Sequence, residues 1–456
     1  MDGSLPESPV VVDDPRARER LCGWGRYPAI EAATARGEDL ERLSRGAPLS
    51  RGLGRAYGDS ALPVAGDRRP LAVTPLADRI LSFDESTGVL RAEAGLSLGT
   101  LREVLLPRRW FTPVSPGTRY VTLGGMVAAD IHGKNHHVAG CFGRHVRALR
   151  LRTGDGQIRE IGPEAEPELF FATLGGMGLT GHILEVEVGL ERLPSPWIYE
   201  ESDRYSNLEA VIEALSEASA NWPMTVSWID TSARGAELGR GIVMRGRWAT
   251  AAEAPAEPPR VQGGFPVPFD LPSGLLNPFT IRIANALFYL KHPRRTRKHL
   301  VHPETYYWPL DFLYEWNRGY GKRGFTQLQC VLPTDAKLYR ELLETFQREG
   351  GCSFVTVFKD CGEQGQGLLS FPKRGTSLAI DIPMRKDGST QALVSTLIDM
   401  VVANGGRVYL AKDAVASPEQ FRKMYPRWEE WLEIKRRYDP QGRLRSAQGQ
   451  RLGLCE

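Results

Sequence analysis

Hydrophobic and polar positions alternate through much of the first 193 residues. HILEVEVGLERL (182–193) alternates as a half-buried antiparallel strand does. HVRALRLRTGDGQIREI (145–161) alternates on both sides of Thr153-Gly154-Asp155-Gly156, which predicts a hairpin closed at that turn. VLRAEAGLSLGTLREVLL (89–106) predicts a strand, a turn and a short helix. A parallel doubly wound sheet would show near-continuous apolar strands instead, so this half predicts an α+β fold. Further along, ALVSTLIDMVVANGG (392–406) has helical apolar spacing and a Gly-Gly stop. RVYLAKD (407–413) reads as a strand, and RWEEWLEIKRRYDPQGRL (427–444) as a helix stopped at Asp439-Pro440. Gln327 and Gln329 in FTQLQCVLP alternate along a strand and therefore share a face.

The pattern breaks at 251–278, where Pro, Ala and Gly accumulate and predict a long loop. The next stretch, FTIRIANALFYLKHPRRTRKHLVHP (279–303), joins an apolar segment to a basic run. Two readings stand side by side: an amphipathic element that meets a lipid surface, and a solvated charged loop.

Length and charge narrow the picture. At ~150 residues per domain, 456 residues suggest two or three domains. Lys+Arg of 58 against Asp+Glu of 55 gives no electrostatic case for nucleic acid as a partner. MDGSLPESPVVVDDPRARER lacks the basic-then-apolar order of a secretory signal. Six scattered cysteines (Cys22, Cys141, Cys330, Cys352, Cys361, Cys455) without a CxxC pair predict reduced thiols and a cytoplasmic setting.

Candidate chemistry centres on DIHGKNHH (130–137), which holds three of the eight histidines in the chain and a lysine. Metal ligation, acid–base work and a loop pressed against a cofactor are the three readings. His132 and His136 are four apart, as in HExxH, but Gly133 occupies the glutamate position. Gly133 and Gly140 also oppose a long helix here, and no second ligand pair follows, so no metal is expected. RGLGRAYGDSAL (51–62) resembles a dinucleotide fingerprint in spacing only. The preceding GAPLS is a poor strand, and no acidic residue follows in a βαβ unit. Gly52, Gly54 and Gly58, with Arg51 and Arg55, still suit an anionic diphosphate approached by bare backbone. Two further glycine-dense loops, 115–137 and LGGMGLTGH (174–182), suggest one extended ligand contacted along its length.

RGLGRAYGDSA, PGTRYVTLGGMVAADIHGKNHH, GGMGLTG, DFLYEWNRGYG, GRVYLAKD and MYPRWEEW with DPQGRLRS together resemble the FAD-linked oxidoreductases of the vanillyl-alcohol oxidase/p-cresol methylhydroxylase fold. Within it they are most similar to the decaprenylphosphoryl-β-D-ribose 2-oxidase family, from about Cys22 to Leu454. The resemblance implies a PCMH-type FAD-binding domain of two α+β subdomains over 1–193. A substrate cap over 194–406 would hold an antiparallel sheet covered by helices, and 407–456 would return to the first domain. Arg51, Gly52, Leu53, Gly54, Arg55, Ala56, Tyr57, Gly58, Asp59 and Ser60 would meet the flavin diphosphate. Gly117, Thr122, Leu123, Gly124, Gly125, Ala129, Asp130, Ile131 and His132 would follow the ribityl chain and ring, with Ile183 and Tyr409 also lining the cofactor. Covalently linked relatives carry a histidine where Arg55 and Ala56 stand, and the spacing of Cys141 differs from doubly linked relatives. The FAD is therefore expected to be noncovalent.

The same resemblance implies Lys412, His132 and Gln329 as catalytic residues. Tyr57, Gln327, Gln329, Lys359, Ser377, Ala379 and Lys412 would form the substrate wall. That wall departs from the family: Ala379 and Ser377 replace a cysteine and an asparagine, and Asp360-Cys361 replaces a Leu-Phe pair. The expected reaction is oxidation of a secondary hydroxyl of a (phospho)furanose-type sugar to a ketone, with hydride passing to flavin, as the oxidative half of an epimerisation. The alternative is a soluble sugar, alditol, aldonolactone, nucleoside or glycoside oxidase in natural-product tailoring. Expected partners are a sugar or polyprenyl-phospho-sugar, an NAD(P)H-dependent keto-reductase, and a membrane surface met peripherally by 279–303.

Overall fold

The first half of the chain builds small sheets that frame the glycine-rich loops. The computed structural model describes residues 18–455 apart from 256, 258 and 260–262. Strands Thr34–Arg36, Leu71–Val73 and Ser50–Arg51 form a parallel three-stranded sheet. These strands are too short to show a period in sequence, and the unpromising GAPLS runs directly into one of them. An antiparallel five-stranded sheet follows, in the order Ile158–Ile161, Val146–Arg152, His182–Gly189, Val89–Glu93, Ile80–Asp84. The expected hairpin, the alternating strand and the strand–turn–helix of 89–106 are all present. Ser97 caps helix Leu98–Leu105 by accepting from the Thr100 N–H at 3.0 Å.

The second half is organised by an eight-stranded sheet. Its order is Arg297–Val301, Ile198–Tyr205, Gly241–Trp248, Met224–Ile229, Thr356–Cys361, Gly375–Pro383, Phe325–Leu332, Arg407–Val408. Helices Leu208–Asn221, Ala336–Arg348 and Ser389–Ala403 cover one face. Each presents an apolar stripe, such as Leu208, Val211, Ile212 and Leu215, at the 3–4 spacing a buried helix face needs. The other face turns toward the glycine-rich loops of the first half. The C-terminal helices return to that half. Trp431 Nε1 donates to the Ala172 carbonyl at 2.8 Å, and Arg451 pairs with Asp59 at 2.7 Å. The architecture is α+β throughout.

Two expectations require correction. RVYLAKD is a strand only over Arg407–Val408. Beyond it the N–H groups of Lys412 and Asp413 both bond back to the Tyr409 carbonyl, at 2.9 and 3.1 Å, and close a turn. The basic run is not a loop throughout. Helix Pro278–Lys291 precedes it, and Arg297–Val301 pairs with Ile198–Ser202 as the edge strand of the large sheet. Among the described residues, no helix is long and apolar enough to cross a membrane.

Candidate active site

The loop after Ser50–Arg51 is shaped to receive an anion. Among the described residues, the backbone N–H groups of Gly52 through Ala56 donate to no protein group. A run of unsatisfied donors at a turn is a ready cradle for phosphate oxygens. Gly54 has φ +67°, the left-handed region that favours glycine. Arg51 supports the loop from within, donating to the carbonyls of Cys22 at 2.7 Å and Ala61 at 3.1 Å, so its guanidinium is a brace rather than a diphosphate ligand. Arg55 lies between the rings of Trp24 and Tyr120, 3.8 and 4.7 Å from their centroids, with a buried Nε that has no partner. Burial lowers its pKa, yet guanidinium stays charged. Asp59 is held by Arg451 and faces the C-terminal helix rather than the loop mouth.

The second loop offers surface more than donors. The N–H groups of Leu123 and Gly124 already bond to the carbonyls of Leu96 and Ala94, and that of Gly125 to Thr122 Oγ1. A Cβ on Gly117 would meet nothing within 4 Å, so bare backbone faces open space there. Ile131 and Ile183 are buried. The Asp130 side chain is wholly buried and turned away, accepting from Ser370 and from the Gly143 N–H at 2.8 Å. It shapes the loop, and only its backbone remains for a ligand. Tyr409 donates to the Ala129 carbonyl at 2.9 Å and packs edge-on to His132, centroids 5.3 Å apart. An open nest of N–H groups followed by bare, apolar-backed backbone fits a dinucleotide such as FAD.

The histidine cluster divides by role. His132 is buried and faces the large sheet: Gln329 Nε2 lies 3.0 Å from its Nε2, and Lys359 Nζ lies 3.4 Å from its Nδ1. The same amide donates to Ser377 Oγ at 3.3 Å. The His132 ring thus bridges the Gln329 amide and the Lys359 amine. Burial lowers the pKa of both His132 and Lys359. His136 accepts from the Gly362 N–H at 3.0 Å and lies 3.4 Å from Cys141 Sγ. His137 Nε2 lies 2.8 Å from the Trp222 carbonyl, and Lys134 donates to the Tyr306 carbonyl. These three residues join the loop to the cap. Among the described residues, no three His, Cys, Asp or Glu side chains converge on a metal position.

Strand register collects the remaining residues. Gln329 lies opposite Ala379, Gln327 opposite Asp381, and Lys359 opposite Ser377, so all six share the face turned to the loops. Ala379 is flanked by the buried Leu378 and Ile380 yet keeps some exposure, as do Lys359, Tyr57 and Lys412. Lys412 Nζ lies 3.4 Å from the centroid of the Tyr57 ring. Burial pushes its amine down to about 7; the Asp381 charge opposes this and that of Lys359 adds to it. Gln327 donates to Asp381 Oδ1, while Oδ2 is buried and receives no hydrogen bond among the described residues. Burial raises the Asp381 carboxyl accordingly.

Sequence reasoning missed Asp381, although GTSLAIDIP places it two and four residues beyond Ala379 and Ser377 on the same face. It also missed the Trp24–Arg55–Tyr120 stack, which no local pattern announces.

Comparison with known proteins follows the same division. Residues 48–162 match the FAD binding domain family, and residues 355–452 match the D-arabinono-1,4-lactone oxidase family. The chain is 36% identical to decaprenylphosphoryl-beta-D-ribose oxidase of Mycolicibacterium smegmatis, over 96% of this chain and 98% of that protein. It is 34% identical to an uncharacterized protein in the mprA 5' region of Streptomyces coelicolor, over 79% of this chain and all of that protein. A putative D-arabinono-1,4-lactone oxidase of Neurospora crassa is 28% identical over 24% of this chain and 19% of its own length.

Proposed function

The chain belongs to the decaprenylphosphoryl-β-D-ribose oxidase family of FAD-dependent oxidoreductases, and from that premise we propose that it oxidises a secondary hydroxyl of a furanose-type sugar, carried on phosphate or a lipid phosphate, to a ketone. FAD, when bound, supplies the acceptor for the hydride leaving the sugar carbon. Its diphosphate would rest on the N–H groups of Gly52 through Ala56, and its ring end along Gly117, Ala129 to His132 and Tyr409. It is held noncovalently, because Arg55 and Ala56 offer no imidazole for a bond.

The observation that carries this reading is the half-buried Lys412, held 3.4 Å from the Tyr57 ring, an amine whose pKa is brought to about 7. A free amine there takes the hydroxyl proton as the carbon is oxidised. A sugar hydroxyl between Lys412 and the bare Oδ2 of Asp381 would satisfy both groups, which share no direct ion pair among the described residues. Gln327, Gln329 and Lys359 orient the ring from the sheet, and His132 closes the loop side. The keto product then suits a separate NAD(P)H-dependent keto-reductase, giving net epimerisation.

A second reading, a soluble sugar or aldonolactone oxidase, draws support from the match of residues 355–452 to the D-arabinono-1,4-lactone oxidase family. Ala379 and Cys361 on the changed wall point the same way. Anaerobic titration of flavin-loaded protein separates the two. Bleaching by a polyprenyl-phosphoribose supports the first reading; bleaching only by free pentoses or aldonolactones supports the second. Flavin that no sugar reduces would overturn both. Flavin released into the supernatant on acid precipitation is the expected sign of a noncovalent cofactor.

A further inference from the structure

Helix Pro278–Lys291 is mounted with its apolar side outward. Phe279, Ile283, Leu287 and Leu290 recur at spacings of four, four and three, so they form one stripe. They are 73%, 48%, 64% and 64% exposed. The opposite side is anchored. Asn285 is fully buried and donates to Asp230 Oδ1 at 3.0 Å and to the Ser353 carbonyl at 3.1 Å. Ile281 is buried beside it, Phe288 packs edge-on to Trp228 with centroids 4.7 Å apart, and Tyr289 donates to the Tyr205 carbonyl at 3.2 Å. Asn277 and Thr280 form a capping box at the start. A soluble surface helix carries its polar residues outward; here a buried asparagine and an exposed leucine stripe hold the reverse order, and the anchors prevent the helix from rolling over.

The charge around this stripe has one sign. From Pro278 to Val301 the chain contains Arg282, Lys291, Arg294, Arg295, Arg297 and Lys298 and no acidic residue. Lys291, Arg294 and Arg295 are exposed and form no ion pair among the described residues. Phe265 and Phe312, joined by a backbone bond of 2.8 Å, are also exposed.

We propose that this helix docks the protein peripherally on an anionic lipid bilayer, with Phe279, Ile283, Leu287 and Leu290 entering the interface and Lys291, Arg294 and Arg295 meeting the headgroups. Apolar area drives insertion and basic charge selects the anionic surface. The helix is too short to span a bilayer and lies along it. This surface is independent of which sugar the site accepts.

The test is vesicle flotation of the flavin-loaded, full-length protein, without any sugar. Vesicles of mixed phosphatidylglycerol and phosphatidylcholine should carry the protein, and pure phosphatidylcholine vesicles should carry less. Phe279→Ser with Leu287→Ser should cut the bound fraction about tenfold or more, in line with the apolar area lost. Arg294→Glu with Arg295→Glu should abolish the preference for anionic vesicles, and added salt should weaken it. Both variants should keep the wild-type flavin spectrum and melting temperature. Wild-type protein that stays with neither vesicle, or serine variants that float undiminished, would overturn the proposal. A dimer in sedimentation velocity that the serine pair splits, with no vesicle binding, would overturn it in favour of a second copy as occupant.

Discussion

Tyr57 and Lys412 meet because the Tyr57 N–H bonds to the carbonyl of Ala411 at 2.8 Å, which sets the Lys412 amine over the Tyr57 ring. The ring face favours an ammonium, while enclosure favours the free amine. The balance leaves Lys412 able to change protonation near neutral pH, which a surface lysine does not do.

Lys412→Met removes the proton acceptor but keeps most of the packing volume. The rate of flavin reduction by substrate should fall by roughly 10²–10⁴-fold, the range for loss of a general base, with FAD content unchanged. Stopped-flow reduction under anaerobic conditions measures it. A variant within a few-fold of wild type would remove Lys412 from the proton transfer.

The pH profile follows from the same amine. A proton acceptor works in its deprotonated form, so under the proposed role reduction should slow as pH falls through about 7. The limb belongs to the Lys412–Asp381 pair, because the two titrate together. Asp381 raises the amine pKa, so Asp381→Asn should move the limb to lower pH and also raise KM by removing an acceptor for the substrate. An unmoved limb would show that another group titrates.

Gly54→Val should weaken FAD binding. The position has φ +67°, and a Cβ there would collide with the Arg51 guanidinium that braces the loop. A left-handed valine costs roughly 1–2 kcal/mol, which corresponds to about a tenfold loss of affinity. The protein should purify with substoichiometric flavin and regain absorbance on FAD addition. Full flavin occupancy at dilute protein would contradict the cradle.

His136 is expected to hold the fold without touching the chemistry. Burial, with smaller effects of Lys359 and His137, lowers its pKa from 6.5 to about 4. The folded state therefore binds its proton later than the unfolded state. The stability from the neutral ring is complete above about 6.5 and is lost as pH falls through about 4. His136→Ala leaves the Gly362 N–H without its acceptor and should cost about 1–3 kcal/mol at neutral pH, read by thermal or denaturant unfolding. It should also flatten the acid limb of stability while kcat stays near wild type.

Sequence alone determined the elements with a clear period and the loops with a clear composition. The alternation of 182–193, the hairpin around Thr153–Gly156 and the helix over 392–403 are local consequences of burying one face, so they are readable along the chain. The glycines of 52–58 also marked a loop within the part of the chain that matches the FAD binding domain family. Tertiary structure decided what those segments face. The turn at Lys412 forms because two N–H groups compete for the Tyr409 carbonyl, and the two- and three-residue parallel strands exist only through their partners. Asp381 became a site residue through its register with Gln327, and Arg51 became a brace through carbonyls of Cys22 and Ala61. The apolar stripe of Pro278–Lys291 was visible as hydrophobic residues, but its outward orientation came from the buried Asn285 bonded to Asp230 and Ser353. Periodicity reports that a face is apolar; only packing against distant segments decides whether that face lies inside or out.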